Sequence, residues 1–304
     1  MSRSLSNPNA RGLATGFVSA AMLVSPAMGA GAAASNPDFS GMWGRNTFDF
    51  EVLPTGPSPV QNLYRLPSGA SDPTRPVGDY HNPLLKPEAA AIVKQRSDAA
   101  LKGEIFPDPS ARCAPYPPPF VFAMQLGVQM LQKKDEIVFL YNQDDQVRYV
   151  RLNGTHPVHV TPSWKGDSVA RYEGDTLVID TVGVKSGPLA VSDRYGTPFS
   201  RALHVVERYR LIDGRQAKRA AELHEKSAGR LGGGVGPTAT DPVYDKGLQL
   251  IFTVEDDGVF TMPWSASITY QKNDRPWQEQ VCAENPVEVS GKRTAIPEAD
   301  KPDF

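Results

Sequence analysis

The stretch DSVARYEGDTLVIDTV, residues 167–182, alternates apolar and polar side chains on either side of Glu173-Gly174-Asp175. A period of two predicts half-buried strands rather than a helix, and the Glu-Gly-Asp break predicts a tight turn. Strands are therefore expected over 167–172 and 176–184, joined as a hairpin. The pattern recurs on both sides. Residues 136–141 and 146–152 flank the polar run Asn142-Gln143-Asp144-Asp145, and 248–254 and 259–270 flank Glu255-Asp256-Asp257-Gly258. Residues 203–212 read as one long strand, with Val205, Glu207, Tyr209 and Leu211 on one face and His204, Val206, Arg208 and Arg210 on the other. Strands joined by hairpin turns, without helical crossovers, imply an antiparallel sheet. About eight or nine strands in one run tend to close, because closure removes the unpaired edges. The expected fold is mainly β, an antiparallel β-barrel, with a two-sheet β-sandwich as the alternative.

Upstream the chain changes character. Residues 52–119 carry half of its 28 prolines, which interrupt regular elements, and Pro117-Pro118-Pro119 imposes an extended rod. One helix fits inside, with Pro87 in its first turn, then Glu88, a run of alanines, and Ile92, Val93 and Leu101 before Gly103. This half reads as an irregular wrap with one surface helix. Residues 217–226 are compatible with a second helix, and 231–237, with three consecutive glycines, read as a flexible loop.

Over 304 residues the chain is 40% hydrophobic and 22% charged, with a formal net charge of -2. That apolar share excludes wholesale disorder. The charge excludes a nucleic-acid reader working through a strong overall positive field. No apolar run reaches the roughly 18 to 20 residues that span a bilayer as a helix.

Residues 1–34 read as an address. Arg3 and Arg11 give a positive start, 13–24 are apolar, and small residues fill 27–34 after Pro26. This is the pattern of a secretory signal peptide, which predicts a periplasmic or secreted protein in an oxidising compartment. An uncleaved membrane anchor is the alternative. Two cysteines in an exported chain, Cys113 and Cys282, most economically form one disulfide. Closing so long a loop removes about 5 kcal/mol of unfolded-state freedom in the chain-entropy description. Two buried thiols or one nucleophilic cysteine are the other options.

Few side chains announce chemistry. His156 and His159 flank Pro157-Val158, which rules out helical presentation of both rings as zinc ligands, so no metal is expected. No phosphate loop, dinucleotide fingerprint or G-x-S-x-G is present, and no cofactor is expected. His204 and Arg208 share a strand face, and a His and an Arg turned into a barrel need partners. Asp180 and Glu207, carboxylates in apolar strands, are the candidates for that role. A buried His beside a carboxylate suits proton abstraction, with Arg steadying the developing negative charge. Structural ion pairs draw on the same residues. Arg148 and Arg151 lie on opposite faces of one strand, and alternation does not choose which faces inward. The acidic turns at 144–145 and 256–257 lack the spacing of a calcium loop and read as solvated.

Near the start, Gly41-Met42-Trp43 resembles the Gly-x-Trp of lipocalin-type barrels, in which the indole plugs the closed end. The segments at 38–43, 162–168, 172–181 (YEGDTLVIDT), 203–209 (LHVVERY), 260–264 and 282–285 resemble an uncharacterised family of exported bacterial proteins. The likeness covers most of 120–285, and GDTLVIDT is its most specific part. It implies a lipocalin-like barrel and no particular activity. Asp145 and Asp167 stand where such relatives often carry His, and 213–246 resembles an insertion.

The resulting expectation has four parts: a signal peptide over 1–34, a first strand and proline-rich wrap over 35–119, a barrel over 120–290, and a tail over 291–304. An eight-stranded or similar barrel has room for one small ligand. The leading functional expectation is therefore binding of a partly apolar, aromatic or terpenoid-like molecule. Trp164, Tyr209 and Trp264 are its candidate walls, and Arg148, Arg151 and His156 complete the candidate binding set. The alternative is a cofactor-free lyase or isomerase in the same cavity, with His204 as base and Arg208, Asp180 and Glu207 around it. A third reading is an envelope interaction protein that uses the proline-rich segment.

Overall fold

The computed structural model describes residues 36–104, 109, 113–124, 126–228 and 243–274. The leader, the glycine run at 232–234, Cys282 and the tail at 291–304 lie outside the described residues. Ten strands form one sheet: β1 Gly41–Gly44, β2 Glu51–Val52, β3 Val128–Gln132, β4 Glu136–Tyr141, β5 Gln146–Leu152, β6 Asp167–Glu173, β7 Thr176–Val182, β8 His204–Asp213, β9 Lys246–Glu255 and β10 Trp264–Lys272. Nine of them close into a ring in the order β1-β3-β4-β5-β6-β7-β8-β9-β10, which β1 completes by pairing with both β3 and β10. Ring closure excludes the sandwich. β2 stands outside it, beside β10 at Ala266 and Ser267.

The ring departs from the antiparallel expectation at one seam. β5 and β6 run parallel and pair only through Arg151 with Val169 and Leu152 with Ala170. The cause lies in the connection. A hairpin needs only a few residues, whereas residues 153–166 form a crossover of the length that parallel pairing demands. The short β3 and β2 were not anticipated, and residues 259–263 form a turn that delays β10 to Trp264.

Two helices lie outside the ring. α1 Pro87–Leu101 has Pro at its start, buries Ala89, Val93 and Ser97 at helical spacing, and ends before Gly103 at φ 73°. α2 Gly214–Ala228 begins where Asp213 Oδ1 accepts the Gln216 N–H at 2.9 Å, capping the first turn. Its buried stripe is Gly214, Ala217, Ala221 and Ala228. These small side chains let it lie close on the sheet. A Cβ on Gly247 would stand 2.2 Å from Ala217 Cβ, so β9 carries glycine there. Among the described residues, no helix is long and apolar enough to cross a membrane.

Inward-facing side chains along the ring are bulky: Phe139, Tyr141, Tyr209 and Phe252 are all buried. A 3-10 turn at Phe120–Ala123 brings the proline-rich segment into contact with them. Phe122 packs edge-on against Phe252 at 5.4 Å, and its carbonyl accepts the Tyr270 hydroxyl at 2.6 Å. Trp43, the tryptophan of the Gly-x-Trp, is buried and donates to the Phe39 carbonyl at 3.0 Å. The wrap is thus part of the core rather than a cover for an open cup.

Candidate functional site

β5 decides which arginine turns inward. Gln146, Arg148 and Val150 are buried, whereas Val147, Tyr149 and Arg151 are exposed. Arg148 meets Glu207 of β8 inside the ring, its Nη2 2.6 Å from Oε1 and its Nη1 3.0 Å from Oε2, with both side chains at most 1% exposed. Arg148 also donates to Ser168 Oγ and Thr181 Oγ1, and the Tyr209 hydroxyl donates to Glu207 at 3.0 Å. A buried charge survives only when it is paired and hydrogen-bonded, and this network supplies both conditions. Burial opposes the guanidinium charge, but the Glu207 carboxylate outweighs it and holds the Arg148 pKa above its ordinary value. Burial pushes the Tyr141 hydroxyl up to about 12 and the Tyr209 hydroxyl well above its usual range. Ser168, Thr181 and Tyr209 are engaged with the pair, while the buried Tyr141 hydroxyl has no hydrogen-bond partner among the described residues. The network is structural.

The four residues expected to act together around a base are therefore split by the sheet. Glu207 belongs to Arg148 inside. Arg208 points outward and donates to Glu173 at 2.7 Å on the surface. His204 and Asp180 also lie outside, with His204 Nε2 3.1 Å from Asp180 Oδ2. Strand alternation put Glu207 and His204 on opposite faces, and the core claimed the face carrying Val205 and Tyr209.

The outer face carries a chain of alternating charges. Asp180 Oδ1 lies 2.9 Å from His156 Nε2, His156 Nδ1 lies 2.6 Å from Asp167 Oδ1, and Arg151 donates twice to Asp167, at 2.8 and 2.9 Å. At the other end His204 Nδ1 is 3.2 Å from Glu255 Oε2. The Arg151 hydrogen bond, helped by His156, lowers the Asp167 pKa. Asp180 is also lowered, because its two histidines outweigh its partial burial. Partial burial works against a charged His204 ring, yet its hydrogen bonds to Asp180 and Glu255 outweigh it and raise the pKa. His204 and His156 each face a carboxylate oxygen from both ring nitrogens. The chain clamps the 153–166 crossover to β6 and β7.

Tyr209 and Trp264 are core residues. The Tyr209 ring lies 5.6 Å from Phe139, and Trp264 is boxed by Phe50, Phe252 and Phe260 at 5.7 to 5.9 Å. Both were expected to wall a ligand, but the aromatic side chains around them fill that space.

What remains is the parallel seam. Where β5 runs past the start of β6 the ladder is missing, and a cavity of about 590 Å³ opens there. That size falls within the roughly 300 to 1,000 Å³ of small-molecule pockets. Trp164, Tyr149, Val147 and Pro115 form its apolar walls, and Arg151, Lys165, Asp145, Asp167 and Ser168 line it, with Arg148 behind. Tyr149 is 63% exposed and Trp164 is half-buried. Lys185 Nζ lies 5.3 Å from the Trp164 ring centre, and Lys165 Nζ donates to the Tyr116 carbonyl at 2.5 Å and to Gln146 Oε1. Gly166 turns the chain at φ 70°, where a Cβ would stand 2.6 Å from the Val182 carbonyl oxygen.

Trp164, Arg148 and Arg151 are thus brought together, with His156 joined to them through Asp167. Lys165 was missed. The available signal was the length of 153–166, too long for a hairpin and so a mark of a break in the antiparallel ladder. Among the described residues no group of three or more His, Cys, Asp or Glu is placed to hold a metal ion. No protein-family model, curated protein or solved structure matches the chain.

Proposed function

We propose that this chain is an exported binding protein for a small, partly apolar molecule of aromatic or terpenoid type, and that the molecule sits in the seam cavity rather than in the barrel interior. The observation that carries this reading is the 590 Å³ opening between β5 and β6, with an exposed tyrosine and a half-buried tryptophan on its walls and charged groups at its base. An aromatic ring gains most from flat apolar walls, and a few polar groups then fix its orientation. The address rests on the leader-like pattern at 1–34 and on the likeness to exported proteins. In an oxidising compartment Cys113 and Cys282 would form the single disulfide.

The test uses intrinsic fluorescence. Of the described tryptophans, Trp43 and Trp264 are buried and Trp164 lines the cavity. Titration with a panel of naphthols, indoles and monoterpenoids is expected to give saturable quenching in the wild type that Trp164→Ala abolishes. A panel that never saturates, or saturates equally in the variant, defeats the proposal.

A further inference from the structure

On the far side of the molecule, α2 lies across β9 and β10, and the loop around 54–71 faces it. A cleft of about 710 Å³ remains between them, lined by none of the residues of the seam cavity. Phe50, Pro54 and Leu223 give it apolar walls, while Glu51, Arg65 and His224 supply polar groups.

His224 differs from the two clamped histidines. Its Nε2 lies 3.0 Å from the Asp49 carbonyl oxygen. A carbonyl only accepts, so Nε2 carries the hydrogen, and in the neutral ring Nδ1 holds the lone pair. Burial, reinforced by the positive charge of Arg45, lowers the His224 pKa and so favours the neutral ring. No described residue gives Nδ1 a partner. Glu51 does not compete for the site, because its oxygens accept from the Thr269 N–H at 2.6 Å, the Thr269 hydroxyl at 2.7 Å and the Ser267 hydroxyl at 3.3 Å. The buried Arg45 adds a second unmet demand beside it. Its Nη2 donates to Thr47 Oγ1 and the Asp49 carbonyl, but Nε and Nη1 have no partner among the described residues.

An imidazole acceptor nitrogen, on a half-buried histidine that lines a half-apolar cleft, suits a donor hydroxyl. We propose that this cleft is a second small-molecule site, independent of the seam cavity, which takes a phenol whose hydroxyl donates to His224 Nδ1 and whose ring lies against Phe50, Pro54 and Leu223.

The full chain is titrated with 4-fluorophenol and followed by fluorine NMR. The wild type should show a saturable shift. His224→Gln keeps an amide to donate to Asp49 but moves the acceptor away from the position of the ring Nδ1, and should weaken binding about tenfold, the loss of one hydrogen bond. Leu223→Glu, at a position 67% exposed and so neutral to folding, should weaken it as well by charging the rim. Trp164→Ala should leave this binding unchanged. No saturable shift in the wild type overturns the proposal. So does binding that survives both His224→Gln and Leu223→Glu at full strength. Binding lost in Trp164→Ala alone places the probe in the seam cavity and overturns it too, while leaving the seam reading intact.

Discussion

Arg148 and Glu207 are the pair on which the barrel interior depends most. Removing one member of a buried pair strands the other charge, at a cost of about 3–5 kcal/mol, whereas replacing both by apolar residues of similar volume is often neutral. Glu207→Gln should therefore lower the unfolding free energy by about 3–5 kcal/mol in urea titration. Arg148→Met with Glu207→Leu should recover most of that loss. A double variant as unstable as the single one would mean that the charges do more than fill and tie the core. His204 makes a different prediction. Its pKa is raised in the folded state by Asp180 and Glu255. The stabilisation is complete below the unfolded value of about 6.5 and disappears as pH climbs through the raised folded value. The urea midpoint should fall between pH 6 and pH 9, and His204→Gln should flatten that fall. An identical pH profile in the variant would show that the His204–Asp180 contact contributes nothing to stability.

At the scale of elements, the seam turns on Gly166. Alanine there meets both the unfavourable φ of 70° and the Val182 carbonyl at 2.6 Å. Gly174, in the β6–β7 turn at φ 63°, has nothing within 4 Å of a would-be Cβ. Gly174→Ala should cost about 1 kcal/mol from backbone strain alone, and Gly166→Ala clearly more, about 2–3 kcal/mol. Equal losses in urea titration would remove the close approach as a cause. These turns show which elements were legible in the chain. β4, β5 and α1 fall where alternation, proline and helical spacing place them. β3 was not legible, because VQMLQ offers one weak alternation that becomes a strand only between β1 and β4. β2 is two residues long and exists through its pairing with β10. The extent of α2 depends on a glycine thirty residues on, Gly247, which makes room for Ala217.

At the scale of the whole molecule, closure and filling are separate events. Closure follows from edges: the eight strands β3 to β10 leave two rows of unmet backbone groups, and β1 pairs with both. Filling follows from Phe122 and the turn that carries it, since the proline-rich segment is drawn into contact with Phe252 and Tyr270. Two places depart from the regular ladder, the β5–β6 seam and the stretch of β10 between β1 and β2, and each has a buried arginine near it. Arg148 at the first is fully paired with Glu207. Arg45, close to Glu51 and Tyr270 of the second, keeps two unpartnered nitrogens. The two proposed sites lie beside these two irregularities.

By itself the sequence determined β4 to β9, the hairpin turns between them, the helix at 87–101 and the tendency of the run to close, because these follow from side-chain period and from turn residues a few positions apart. It also determined that Glu207 and His204 oppose each other across a strand. Only the tertiary structure decided which of them faced inward, because a period of two is symmetric between faces until a core selects one. The same is true of the parallel seam, the aromatic filling and the unpartnered nitrogen of His224. Each depends on a contact between residues far apart in the chain, and no local pattern encodes the distance between them.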